Sequence, residues 1–142
     1  MGIVNSFGKL TAAKALPSTL DDGTAIVGAI IDRLGYQSAL LVFSYEASTG
    51  SPNAAVTSLI VEDGDNPALS DAATFATLET AKNIKTAGIA QYNIDLSKAK
   101  RYIRFTNDTT YTAGSSPKNQ LAADVVLFDK DVDADTSTVY GR

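Results

Sequence analysis

The order of apolar and polar residues changes abruptly between Leu96 and Asn107. A short basic link, Ser97-Lys-Ala-Lys-Arg101, gives way to strict alternation in Tyr102-Ile-Arg-Phe-Thr106. Ile103 and Phe105 fall on one face of a period-two strand and Tyr102, Arg104 and Thr106 on the other, the pattern of an antiparallel strand with one buried face. Leu96 precedes Tyr102 by six residues, a spacing like that of the corner in immunoglobulin-like sandwiches, where a Tyr hydroxyl bonds back to upstream backbone. The strand has a defined entrance, and a β-sandwich is the leading fold.

Further strands follow from the same periodicity. Residues 24–32 are rich in Ala, Ile and Val and close on the turn signal Leu34-Gly-Tyr36. In residues 38–46, Leu40, Val42 and Ser44 alternate with Leu41, Phe43 and Tyr45, so both faces are apolar. That pattern marks a central strand whose second face is covered by another sheet, an arm or a neighbouring subunit. Turn formers at 48–53 lead into a strand at 54–62, which predicts a hairpin. Asp63-Gly-Asp-Asn-Pro67 breaks the chain, and Ser70 is placed to cap a single helical turn within 68–75. Leu78, Ile84 and Ile89 follow no period. Residues 91–96 alternate with Tyr92, Ile94 and Leu96 inward. Residues 107–119 read as a long exposed loop, and the last strand, 120–129, is expected to pair with the Tyr102 strand. The sum is an all-β antiparallel sandwich, immunoglobulin-like or jelly-roll, of about seven to eight strands.

Three regions differ in composition. Residues 1–22 are rich in Ala, Leu, Ser and Thr, contain Pro17 and show no sustained alternation, so they read as an N-terminal arm. Phe7, Leu10 and Lys14 would line a short helix ended by Pro17, which Gly8 weakens; an extended arm ordered by a partner is the other reading. Residues 23–130 form the sandwich domain, and 131–142 an acidic tail.

Composition removes most chemistry. A chain of 142 residues is one domain, burying roughly 70% of its unfolded surface. It has no Cys and no His, hence no thiolate metal site, no imidazole base and no Ser-His or Cys-His nucleophile. With 16 acidic against 12 basic residues the net charge is −4, which repels nucleic acid unless the cations are segregated. Lys98, Lys100, Arg101 and Arg104 are the nearest to a cluster, and cations beside a strand read as a solvated edge that resists aggregation. No apolar run approaches the ~20 residues of a membrane span, and no secretory leader is expected at the N-terminus. Gly2 and Ser6 fit the loose myristoylation pattern, and Asn107-Asp-Thr109 a glycosylation acceptor.

Carboxylates and tyrosines are the remaining candidates. Asp129, Asp131, Asp133 and Asp135 would share one face of an extended backbone, as hard cations require, but Ala134 and Tyr140 stand where a calcium loop needs Gly and Glu. Asp63 and Asp65 flank Gly64 and read as turn residues satisfying backbone. Nothing selects a glycosidase pair from Glu46, Glu62 and Glu79. Without Trp, a sugar platform falls to Tyr36, Tyr45 or Tyr111, of which Tyr111 is the best placed. No catalytic, cofactor-binding or metal residue is assigned.

The succession Ile31-Asp-Arg-Leu-Gly-Tyr-Gln-Ser-Ala39, Val61-Glu-Asp63, Leu69-Ser-Asp-Ala72 and Lys100-Arg-Tyr-Ile-Arg-Phe105, followed by a hydrophobic last strand, resembles the small head decoration, or cement, proteins of tailed bacteriophages. The resemblance covers residues 24–130 and leaves the first twenty and the tail outside. It implies a non-enzymatic virion protein on the capsid exterior, bound to the major capsid protein and stabilising the lattice. It also implies a homo-oligomer, dimer or trimer, with no cofactor, nucleic acid or membrane partner. The alternatives are the principal shell subunit of a virus and a carbohydrate-binding or adhesion module using Tyr111 and the Asp-rich turns.

Overall fold

The computed structural model describes residues 10–130. Among them are nine strands and no helix: β1 (Thr11–Asp21), β2 (Ile26–Val27), β3 (Ile31–Asp32), β4 (Tyr36–Tyr45), β5 (Ala54–Gly64), β6 (Ala73–Asn83), β7 (Gly88–Asp95), β8 (Tyr102–Thr112) and β9 (Asn119–Lys130). One sheet runs β1-β9-β4-β7 and the other β2-β8-β5-β6, with β3 also on β8. All pairs are antiparallel.

With β2 and β3 taken as one interrupted strand, the pairings nest: first with last, second with next to last, and so inward to the β5–β6 hairpin. One long antiparallel ribbon has been rolled up, which brings β9 against β4 and β8 against β5. This strand order is that of a jelly roll and not of an immunoglobulin sandwich. Both pairings expected between chain neighbours are thereby overturned. β4 pairs with β7 and β9, not with β5, and β9 pairs with β1 and β4, not with the Tyr102 strand. In a rolled ribbon the connections at 46–53, 96–101 and 113–118 each pass from one layer to the other.

Between the layers, alternate residues supply the core. Ala39, Leu41, Phe43 and Tyr45 of β4 stand beside Leu127, Val125, Ala123 and Leu121 of β9. They face Leu59 and Val61 of β5 and Ile103 and Phe105 of β8. Each fully buried Leu or Phe contributes about 2 kcal/mol relative to exposure.

Residues 11–21 of the expected arm are the strand β1, laid along β9. Register shifts between Lys14 and Leu16 and between Leu16 and Thr19 turn the consecutive residues Ala15 and Leu16 both inward. These bulges erase the alternation in the sequence, and Pro17 fits there because an edge bulge needs no amide from it. The same kink splits the next strand. Gly28 passes so close to β1 that a Cβ would lie 1.8 Å from the Ala15 carbonyl oxygen, and its amide reaches the Phe105 carbonyl at 2.8 Å.

Three other expectations change. Residues 107–112 belong to β8, and Asn107 and Thr109 are buried where a loop was expected. They surround Asp21, whose carboxylate accepts from the Thr109 hydroxyl, the Asn107 amide at 3.1 Å and the Gly23 amide at 2.8 Å. Thr57 closes the cluster, donating to Asn107 Oδ1 at 2.6 Å. Residues 68–75 hold no helix. Asp71 instead accepts from the Asp65 and Asn66 amides, and Phe75 lies in β6. Tyr102 makes no corner of the expected kind; it lies half-buried with the Arg101 guanidinium 5.1 Å from its ring. The hydroxyl that bonds upstream backbone is that of Tyr111, 2.9 Å from the Asp21 carbonyl.

Two substitutions test this packing by thermal or urea denaturation. Gly28→Ala should cost about 3 kcal/mol, because backbone must move to admit the methyl. Asp21→Ala should cost a similar amount, about 3 kcal/mol, by leaving Asn107 and Thr109 without their buried acceptor. Wild-type stability in either variant would contradict the packing.

Candidate functional site

Residues 31–36, 61–65 and 96–104 meet at one end of the sandwich. Arg33, on the β3–β4 turn, donates to the carbonyls of Lys100 at 2.8 Å, Tyr36 at 3.0 Å and Ala99. Its own amide reaches the Arg101 carbonyl at 3.0 Å. Asp32 accepts from Arg101 at 3.1 and 2.9 Å, and Asp63, from the end of β5, accepts the Lys100 amide at 2.8 Å. On β5 and β8 the Glu62 carboxylate takes Arg104 at 2.7 Å and Thr106 at 3.1 Å. The basic link at 96–101 is therefore a clasp held by Arg33 and Asp63. Of the four clustered cations, Lys100, Arg101 and Arg104 pair with Asp65, Asp32 and Glu62. The described chain also begins and ends here, since Tyr36 lies beside Lys130 in register and its hydroxyl is 2.5 Å from that of Thr11.

The two outer faces differ. On the β2-β8-β5-β6 sheet, Val56 and Ile60 are set among Ser58, Glu62, Arg104, Thr106, Asp108 and Thr110. On the β1-β9-β4-β7 sheet, Ala12, Val126 and Leu40 stand side by side on adjacent strands, with Val42 and Phe128 flanking them. Phe128 borders a shallow cavity of about 330 Å³ with Ser38, Asn93 and Asp95. The apolar second face expected of residues 38–46 thus exists, and the described chain does not cover it with a third layer. Composition pointed to Leu40 and Val42; Val126 and Phe128 join them only through the β4–β9 register.

The chemistry-bearing candidates are mostly engaged elsewhere. Asp63 and Asp65 serve the Lys100 clasp. Tyr111 packs on the core, and burial, then the neighbouring Asp21 charge, pushes its hydroxyl up to about 12. Tyr45 is buried and Tyr36 half-buried, while Asn107, the glycosylation candidate, is fully buried. Glu79 accepts the Tyr92 hydroxyl at 3.0 Å, bridging β6 and β7 across the side of the sandwich. Burial, reinforced by this carboxylate, holds the Tyr92 hydroxyl above its ordinary range. Glu46 is exposed at the end of β4. Asp129 accepts the Ser38 hydroxyl at 2.8 Å; Asp131, Asp133, Asp135 and Tyr140, like Gly2, Ser6, Phe7 and Gly8, lie outside the described residues. Among the described residues no three carboxylates are grouped to hold a metal.

The fold defined by this strand order is a jelly-roll β-sandwich. No family model matches the chain, and no curated protein sequence matches it. Among solved structures it is similar to VP2 of infectious bursal disease virus in its subviral particle, with TM-score 0.58 and 9% identity over 90% of this chain and 34% of that one. The infectious bursal disease virus Gx strain structure gives TM-score 0.53 and 10% identity over 90% of this chain and 33% of that one. Dimeric latent PorU from Porphyromonas gingivalis gives TM-score 0.50 and 11% identity over 87% of this chain and 13% of that one. The chain spans about a third of the length of the viral chains, and the likeness is one of fold.

The ion pairs predict a pH response. Hydrogen bonds from Arg104 and Arg101 hold the Glu62 and Asp32 carboxyls below the usual carboxylate range. Because the folded values are depressed, the stability these groups add is complete above the unfolded pKa of about 4 and is lost as pH falls toward the folded values. The urea midpoint should therefore drop on acidification below pH ~5. Arg104→Gln should lower the unfolding free energy by about 1 kcal/mol at neutral pH and shrink the acid loss, since the guanidinium that depresses the Glu62 carboxyl is gone. An unchanged acid limb in Arg104→Gln would contradict this.

Proposed function

We propose that this chain is a non-enzymatic structural protein of a virion, a jelly-roll unit that joins a capsid by its apolar outer face. The observation that carries this is the nested strand order, which aligns nine-tenths of the chain with part of a VP2 chain seen in a subviral particle. The clasp adds support. The segments in which the resemblance to head decoration proteins is read act here as internal fasteners, Arg33 and Asp63 foremost, so they serve a rigid block and leave the outer faces free for contact.

The finer reading is a decoration protein on the outside of a phage capsid, stabilising the lattice by binding the major capsid protein. Its support is the contrast between faces: Leu40, Val42, Val126 and Phe128 would lie against the shell and Arg104, Glu62 and their polar neighbours would face solvent. Weak contacts repeated over a lattice gain strength through effective concentration, so a modest apolar patch suffices. The VP2 likeness favours a second reading, in which the chain is part of the shell itself.

The direct test is the copy number of the chain in purified particles, joined to a binding assay on shells stripped of it. Val42→Lys with Val126→Lys should abolish rebinding without unfolding the protein, while Thr110→Lys on the opposite face should leave it intact. Closed particles assembled from the purified chain alone would establish the shell-subunit reading. Absence from particles would sink both.

A further inference from the structure

Sheet edges are where β-proteins meet other chains, because an outermost strand leaves a row of amides and carbonyls without ladder partners. Among the described residues the sandwich has four such edges, and three are blunted. β1 is shifted out of register twice and contains Pro17. The β2–β3 edge is interrupted at residues 28–30. β6 loses register with β5 three times and carries Glu79 and Lys82. The fourth edge, β7, has none of these devices. Its eight residues stay in unbroken register with β4, from Asp95 opposite Ser38 to Gly88 opposite Tyr45, with no proline and no charge before Asp95.

The free groups can be assigned. The Leu96 amide donates to the Gln37 carbonyl at 2.8 Å. By the alternation of an antiparallel ladder, Gly88, Ala90, Tyr92 and Ile94 turn their backbone groups to β4, and Ile89, Gln91, Asn93 and Asp95 turn theirs outward. The side chains of those four residues are exposed, and Ile89, at 65%, is the most exposed large hydrophobic among the described residues.

We infer that β7 is a pairing edge whose occupant is β7 of a second copy of this chain, joined antiparallel about a two-fold axis. The two sheets then fuse into one, continuous from β1 of one copy to β1 of the other. Symmetry makes the fit self-consistent. Pairing centred on Gln91 sets Gln91 against Gln91 and Ile89 against Asn93, so each outward amide and carbonyl meets an outward partner. Charge favours the same direction. Lys85 precedes the strand and Asp95 ends it, so antiparallel pairing brings the cationic end of each copy to the carboxylate end of the other, while parallel pairing sets like ends together. One strand buries less than the roughly 800 Å² per partner of a standard interface, so the association is weak and concentration-dependent. The pairing belongs to the chain alone and holds whether or not a shell is its destination.

Sedimentation of the full-length protein over a concentration series reads it directly, with hydrogen exchange locating the contact. The expected result is a monomer–dimer equilibrium in which the amides of Ile89, Gln91 and Asn93 gain protection as concentration rises. Gln91→Pro removes an outward amide and none that β4 uses, so it should keep the fold and weaken the dimer at least ~10-fold, about 1.4 kcal/mol. Ile89→Lys with Asn93→Lys, which sets cations opposite each other, should do the same without touching the backbone. A monomer at every concentration, or a dimer indifferent to both variants, would overturn the inference. So would a dimer lost on truncation after Lys130, which would make residues 131–142 the occupant of the edge.

Discussion

Backbone hydrogen bonds hold each sheet of this protein together, but they do not hold one sheet to the other. Six of the connections between successive strands cross from layer to layer, and the β5–β6 hairpin lies within one. Cohesion between layers therefore rests on side chains: the apolar interior around Phe43 and Phe105, and a few polar bridges at its margins. Asp21 carries β1 to β8 through Asn107 and Thr109. Tyr92 and Glu79 join β7 to β6 at the opposite side. Arg33 and Asp63 secure the link that runs from one layer to the other. Each bridge satisfies polar groups whose isolation would cost more than a hydrogen bond contributes.

Much of this architecture was legible in the order of residues. The alternation gave the buried face of β8, Ile103 and Phe105, and set Ile94 and Leu96 inward, because each of these stretches keeps one face on the core. The failures have physical causes. In β1 two bulges change the period within eleven residues, so Ala15 and Leu16 turn inward together and the alternation disappears. Asn107 and Thr109 looked like solvent-facing loop residues, since a polar side chain does not announce a buried carboxylate 88 residues away that will satisfy it. Leu78 followed no period and β6 was not foreseen as a strand, because it lies at an edge with three register shifts, where no single face is buried throughout. Strand pairing was out of reach for another reason. Periodicity reports which way a side chain points, whereas the partner of a strand is fixed by how the ribbon rolls.

The same contrast runs through the surfaces. Leu40 and Val42 drew attention by composition, yet the patch they form depends on Val126 and Phe128 arriving on the neighbouring strand, in a register set by the core on the other side. The outer face is thus a by-product of the inner one: to fill the sandwich with Leu41, Phe43, Val125 and Leu127 is also to decide which residues meet the outside. The clasp of Arg33, Asp63 and Arg101 ties a corner inside the molecule, and it leaves the residues of the outer faces unspecified.

Thr11 and Lys130 leave the sandwich at the clasped end, beside Tyr36. The molecule is accordingly polar, like a plug with both leads on one side. The described chain thus enters and leaves the sandwich at the same pole. The opposite pole, built from the turns at 22–25, 46–53, 84–87 and 113–118, has no covalent attachment to accommodate. It can be reshaped by insertion or substitution without disturbing the clasp, and cargo grafted into one of those turns would point away from the pole where Thr11 and Lys130 lie.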